Sequence, residues 1–419
     1  MGYSKIQADW LFDGEKMYGG ASAPSGARAI GHGAPPVGET GAPVLVVAGD
    51  GKIEAMVPAA EAGDDVRRYS GLLCPGFVNT HCHLELSHMA GVIPPGTGMV
   101  DFLLQVMGRR GELGRDPLDA ARQADRQMGE AGIVAVGDIS NNISTLPIKA
   151  GSRLYYHTFV EVMGFLPSSA DARLAQARQV YDAARRVLGA DAASLVPHAP
   201  YSVSKPLFEA LDKTYEGTRG ILSIHNQESE AENQFYREAG GDLLRLYAAL
   251  GQNIDFFPPY GHSSLETYLP WLDAPSSLLL VHNTASAPGG IRFALDLAAR
   301  RNQSLFWCLC PGANRYIQRA LPPLGLLRDQ GCTLTLGTDS LASNDELSIL
   351  SEIKILREHF PEVPLEEMLG WATLNGAKAL NLDGVFGRFA PGTRPGVLLL
   401  GPLKEMTLTP ETAVKVLYA

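Results

Sequence analysis

An α/β barrel of eight strand–helix units, with a small β domain assembled from both chain ends, is the architecture that this 419-residue sequence predicts. Three observations predict it. Apolar, strand-like runs alternate with helical stretches through the middle of the chain, the pattern of a parallel sheet. Both ends are instead made of β-runs and turns. No G-x-G-x-x-G loop follows the first middle strand, where an open nucleotide-binding sheet would place its phosphate cradle. The class is therefore a (β/α)8 TIM-type barrel over residues 71–383, with a β-sandwich domain built from 1–70 and 384–419.

The elements follow in order. ADWLFDG and VLVVAGDGKIEAMVP place β-runs around a GDGK hairpin signal. Between them, residues 18–44 are crowded with Gly, Ala and Pro and read as an irregular insertion. Middle strands are expected at 72–80, 133–140, 154–162, 193–199, 221–226, 277–283, 304–310 and 333–340. DARLAQARQVYDAARRVLG shows the helical periodicity between them. The tail, GVFGRFAPGTRPGVLLLGP, returns to β character.

Composition narrows the function. Its 45% hydrophobic and 19% charged residues are ordinary for a soluble globular protein. Its net charge of -10, with no basic cluster, disfavours a nucleic acid polymer as partner. The N-terminus lacks the charged and apolar regions of a secretory signal. No apolar stretch reaches the roughly 20 residues that span a bilayer, so no membrane partner is expected. Five cysteines, Cys74, Cys82, Cys308, Cys310 and Cys332, are odd and sparse, as reduced thiols in the cytoplasm would be. Cys308 and Cys310 could ligate metal, but they read as small apolar fillers on a strand.

The chemistry begins at PGFVNTHCHLELSH, residues 75–88. On a strand, His81 and His83 point to the same face, a natural half-site for a divalent metal. An H-x-H on a surface loop would mean little. Yet His198, His225, His282 and Asp339 also fall at the C-terminal ends of expected strands, the face where barrel enzymes place their chemistry. Any one of them could be a core residue; together they form a site. His83-Leu84-Glu85 also mimics the H-x-E of the cytidine-deaminase zinc site, but the required P-C-x-x-C is missing.

PGFVNTHCH, HNQES, VHNT, LGTDSLASN and ATLNGAKALNL resemble, in order and spacing, the amidohydrolase superfamily in its mononuclear deaminase and chlorohydrolase branch. The resemblance covers nearly the whole chain. It implies one divalent metal per chain, Zn²⁺ ahead of Fe²⁺, held by His81, His83, His225 and Asp339. It implies that Glu228 exchanges protons with water and substrate, and that His282 orients the attacking hydroxide or stabilises developing charge. Asp339 would both ligate metal and accept a proton. Glu228 competes with another reading, an exposed acid at a helix start beside Glu230 and Glu232. Strand four ends in His198 and offers no bridging lysine, while Glu161 near the end of strand three leaves a bridging carboxylate open. One metal is favoured.

Glu85, Ser87, Glu161 and His198 are candidate contacts to base or ribose, or supports of the ligands. HLELSH and the segment from CPGANRYIQ to NDELSIL look most like the aminodeoxyfutalosine deaminase group of menaquinone biosynthesis. The substrate implied is an aminated purine nucleoside, a small molecule. Adenosine, methylthioadenosine, S-adenosylhomocysteine and guanine deaminases are the near alternatives, followed by chlorohydrolases. A catalytically silent purine-binding barrel is the alternative of another class. APGTRPGVLLLG replaces the family's acidic stretch, a departure that leaves the metal site untouched. A homodimer stays open.

Overall fold

The computed structural model describes residues 2–19, 41–111, 115–218, 220–404 and 406–419. Most of the insertion expected over 18–44 lies outside the described residues. Strands β1 (Tyr3–Phe12), β2 (Met17–Gly19), β3 (Val44–Ala48), β4 (Ile53–Val57) and β5 (Val66–Pro75) form the N-terminal β region. The expected hairpin joins β3 to β4, with Gly51 at φ 80° in its turn.

The run expected as one strand over 72–80 is two. β5 ends at Pro75 and β6 (Phe77–Cys82) begins after Gly76. Proline has no amide to continue a ladder, and the Gly76 amide donates to Pro395 O at 2.9 Å. A Cβ on Gly76 would lie 2.3 Å from Val134 Cγ1, so only glycine lets the chain pass from one sheet to the next here. β5 therefore carries the N-terminal β region to Pro75, past the boundary expected at 70.

Seven more strands follow with helices between them: β7 (Ile133–Ser140), β8 (Tyr155–Val162), β9 (Ala193–Pro197), β10 (Ile221–Asn226), β11 (Ser277–His282), β12 (Ser304–Leu309) and β13 (Leu334–Leu336). They match the expected positions, although β13 is shorter. β6 to β9 form one parallel sheet and β10 to β13 another. Both faces of these strands are buried, which is why they read as nearly continuous apolar runs. Val78, Ala135, Phe159, Val196, Ile221, Leu279, Phe306 and Cys308 share one core cluster, while Phe77, Val136, Leu195, Leu222, Leu278 and Trp307 pack in another. Cys308 and Cys310 are the fillers expected, and all five cysteines are free.

Backbone bonds join the two parallel sheets at both edges. His225 N donates to His198 O at 3.0 Å across one edge, and Thr338 N and Asp339 N donate to His81 O at 3.0 and 3.1 Å across the other. Last come β14 (Val397–Lys404) and β15 (Thr407–Tyr418), an antiparallel pair. β14 pairs with β5, so both chain ends meet in one hydrogen-bonded sheet of order β15-β14-β5-β1-β3-β4, with β2 on β1. No helix among the described residues is long and apolar enough to cross a membrane.

Gly137 on β7 marks how tightly the first sheet is packed. A Cβ there would meet Thr80 O at 2.5 Å and the Phe159 ring at 2.8 Å. Gly137→Ala should cost about 1–3 kcal/mol by overpacking. Thermal unfolding should show a melting temperature lower by a few degrees; an unchanged one would contradict this packing.

Candidate metal centre

β6 carries His81, His83 follows one residue past its end, and Asn79 lies two residues before His81. Asn79 ties this strand to the end of β13. Its Nδ2 donates to Thr338 Oγ1 at 2.8 Å, and its Oδ1 accepts from Thr338 N at 3.1 Å. His81 and Asp339 are thereby brought side by side. His225 arrives from the end of β10 and completes the group.

The distances are short. His83 Nε2 lies 3.1 Å from His81 Nε2, 3.3 Å from His225 Nε2 and 3.3 Å from Asp339 Oδ1. His81 Nε2 lies 3.7 Å from the same carboxylate oxygen. All four side chains are buried. Holding them there puts Asp339 at φ 56°, a left-handed conformation that costs of order 1–3 kcal/mol in a residue other than glycine. His282 and Asn283 share that conformation at φ 77° and 60°. Asn283 N donates to Asn226 O at 3.0 Å and its Nδ2 to Leu280 O at 2.8 Å, which fixes the turn.

The electrostatics suit a cation. Burial pushes His83 down to about 3 and His225 well below its usual range, so both rings are neutral near pH 7. Burial opposes charge on Asp339, yet His81, His83 and His282 around it hold its carboxyl below the usual carboxylate range. His225 Nδ1 faces His198 O at 2.8 Å and must carry the proton, which leaves a lone pair on Nε2. Tetrahedral Zn–N bonds of about 2.0–2.1 Å would set nitrogens roughly 3.3 Å apart. The observed nitrogen separations of 3.1 and 3.3 Å agree with that spacing. His81 Nδ1, Glu161 Oε1, Tyr201 Oη and His282 Nε2 are buried in the same region without a hydrogen-bond partner in the chain.

Glu161, His198 and His225 make a second group of close donors. It is the poorer one. Glu161 Oε1 lies 3.5 Å from His225 Nδ1, which is already committed to the His198 carbonyl. Burial also raises Glu161 to about 8, so it is largely uncharged near pH 7. Asn141 Nδ2 donates to Glu161 Oε2 and to Glu85 Oε1, each at 3.0 Å. Glu85 further accepts from Asn142 Nδ2 at 2.8 Å. His198 lies beside this arc, its ring 4.8 Å from that of His225 and its Nδ1 2.7 Å from Ser202 Oγ. Burial lowers it to about 4.

Glu228 is buried, and its Oε1 lies 3.6 Å from His282 Nε2. Burial raises its pKa well above the usual carboxylate value. The reading of an exposed helix-start acid belongs to Glu230, which pairs with Arg237. Glu232 is buried for another purpose: its Oε1 accepts from Gln227 N at 2.9 Å and from Ser264 Oγ, holding the φ 46° turn that presents Glu228. Asn314 Nδ2 donates to His282 Nδ1 at 3.2 Å, so the Nε2 proton of His282 faces Glu228.

Ser87 stands apart from the other expected residues. Its hydroxyl donates to Leu84 O at 2.8 Å, and it lines a flanking cavity of about 570 Å³ with Arg115, Gln123 and Gln127. Asn79, Asn141, Tyr201, Glu232 and Asn314 were not singled out from sequence as site residues. Only Asn79 carried a local signal, its place two residues before His81.

The sequence profile of the Amidohydrolase family matches residues 72–413. The chain is 26% identical over 320 residues to a Helicobacter pylori protein named adenosine deaminase, covering 75% of each. It is 24% identical over 389 residues to a Deinococcus radiodurans protein named aminodeoxyfutalosine deaminase, covering 90% of this chain and 85% of that one. Its fold is like that of H. pylori aminofutalosine deaminase in complex with methylthio-coformycin, with a TM-score of 0.76 at 21% identity over 97% of this chain and 93% of that one. The match of the profile across most of the chain, strand ends included, means that this protein belongs to the amidohydrolase family.

Proposed function

We propose that this protein is a metal-dependent hydrolytic deaminase of an aminated purine nucleoside, with aminodeoxyfutalosine as its substrate. The observation that carries the reading is the convergence of three imidazoles and one carboxylate beside a buried glutamic acid. His81, His83, His225 and Asp339 would hold one divalent ion, Zn²⁺ before Fe²⁺. Held there, it would supply the Lewis acidity that makes water a nucleophile near pH 7. The parallel strands would close as one (β/α)8 barrel, a reading supported by the backbone bonds at both sheet edges.

Glu228 is suited to move the protons. Buried beside His282, it would take one from the water side and deliver it to a ring nitrogen of the substrate. The exocyclic amino group leaves as ammonia only once a proton has been delivered to it, so a proton carrier favours deamination over chloride release. His282, with its Nε2 proton turned toward Glu228, can stabilise charge as the ring carbon becomes tetrahedral. Glu85, Glu161 and His198 would meet the base and ribose. The retained proton carrier also argues against a silent purine-binding barrel. The likeness to the Deinococcus protein over 90% of this chain supports the choice of substrate.

Metal analysis should give about one equivalent per chain. His225→Ala should lose metal and activity together, and a fully active, metal-free variant would contradict the ligand set. Glu228→Gln should keep near-normal metal content while turnover falls on the order of 10²-fold or more. Unchanged turnover would make Glu228 a bystander and restore chloride release to equal standing.

Contacts to the ribose and 5′ arm hold the purine in attack geometry, so remote binding energy should appear in turnover as well as affinity. In a comparison of kcat/KM, aminodeoxyfutalosine should lead methylthioadenosine and adenosine, with free adenine far behind. Guanine first would move the protein to the guanine deaminases. Chloride release from a chlorinated triazine, with no purine deaminated, would overturn the reaction class.

A further inference from the structure

We propose that the buried ion pair Asp138–Lys149 is a positioning device for the histidine-bearing end of β6, acting through one hydrogen bond to the backbone of Leu84. The inference rests on the metal site proposed above. Asp138 lies on β7 as the register partner of Cys82, the residue between the two histidines. Its Oδ1 accepts from Leu84 N at 2.8 Å, and its Oδ2 lies 2.6 Å from Lys149 Nζ. Neither side chain is exposed. Lys149, from the helix Leu146–Gly151, also donates to Ser140 Oγ at 2.7 Å and Thr158 Oγ1 at 3.2 Å. The ammonium thus has two hydroxyl acceptors besides its contact with the carboxylate.

Stability alone is a weak reason for such a pair, because apolar residues of similar volume often stabilise as well or better. What a hydrophobic residue cannot do is accept a hydrogen bond from Leu84. That residue opens the 3-10 turn Leu84–Met89, whose first amides have no partner within the turn. His83 is its N-cap, at φ -122° and ψ 79°, between strand and turn. The β6–β7 register also slips between Asn79 and Cys82, so the regular ladder does not fix this segment. The Asp138 side-chain oxygen fixes it instead, and Lys149 balances the charge that burial of this carboxylate opposes.

Three double variants separate the hydrogen-bond acceptor from the charge pair. D138N/K149M keeps an oxygen facing Leu84 and removes both charges. D138L/K149M and D138A/K149M remove the oxygen as well, and the smaller alanine guards against a misfit of leucine. Folding is followed by circular dichroism and thermal unfolding, and Zn²⁺ affinity by competition with a chelator. D138N/K149M should bind Zn²⁺ within about threefold of the unmodified protein, and a folded acceptor-free variant about 10–100-fold more weakly. Equal affinity in the asparagine and acceptor-free variants would overturn the proposal. Loss of folding in both acceptor-free variants would overturn it too, since the oxygen would then serve the fold. The unmodified protein and His225→Ala are titrated alongside. Absence of Zn²⁺ binding by the first, or equal binding by the second, would count against the site reading itself.

Discussion

The rest of this structure depends on bringing like-natured nitrogen atoms to within 3.1–3.3 Å of one another in a buried place. Lone pairs do not gather there unaided. The chain gathers them at the two edges where its parallel sheets meet. His81 and Asp339 stand at one edge and His198 and His225 at the other, and backbone bonds of these same residues tie the edges together. Three of the four clustered side chains, those of His81, His225 and Asp339, thus belong to residues that also stand in the joints of the fold. The strained turns at His282, Asn283 and Asp339 are what this placement costs, and dense hydrogen bonding around them keeps them in it.

Burial then divides the ionisable groups by role. It leaves His83 and His225 neutral, the form in which an imidazole has a lone pair to offer a metal. The same burial raises Glu228 and Glu161, so that neither is locked as a carboxylate. Asp339 alone among these acids is held below the usual carboxylate range, by the His81 ring first, and the Ser343 hydroxyl donates to it as well. One environment thus sets neutral imidazoles, a glutamic acid with a raised pKa and a polar arc side by side. The distinction between Glu228, Glu230 and Glu232 follows from where each points. One faces His282, one faces solvent and Arg237, and one braces the turn.

Much of this was legible in the sequence because the signals are local. Period-two alternation gave His81 and His83 a common direction, and the histidines recurred at the ends of apolar runs that proved to be strands. What stayed hidden was long-range. Asn314 reaches His282 from 32 residues away, and Asp138 reaches Leu84 from 54, with no spacing rule to announce either. The break at Pro75-Gly76 was visible as a turn signal, yet the apolar character on both sides masked a change of sheet. Ser87 follows the histidine pair closely, but the 3-10 turn rotates its hydroxyl back onto Leu84 O.

The central claim is that one ion sits among His81, His83, His225 and Asp339. Anomalous diffraction at the metal absorption edge, from a crystal of the metal-loaded protein, tests it most directly. The account predicts a single peak per chain, bounded by those four side chains. A peak between Glu161 and His198, alone or as a second of comparable height, would contradict it.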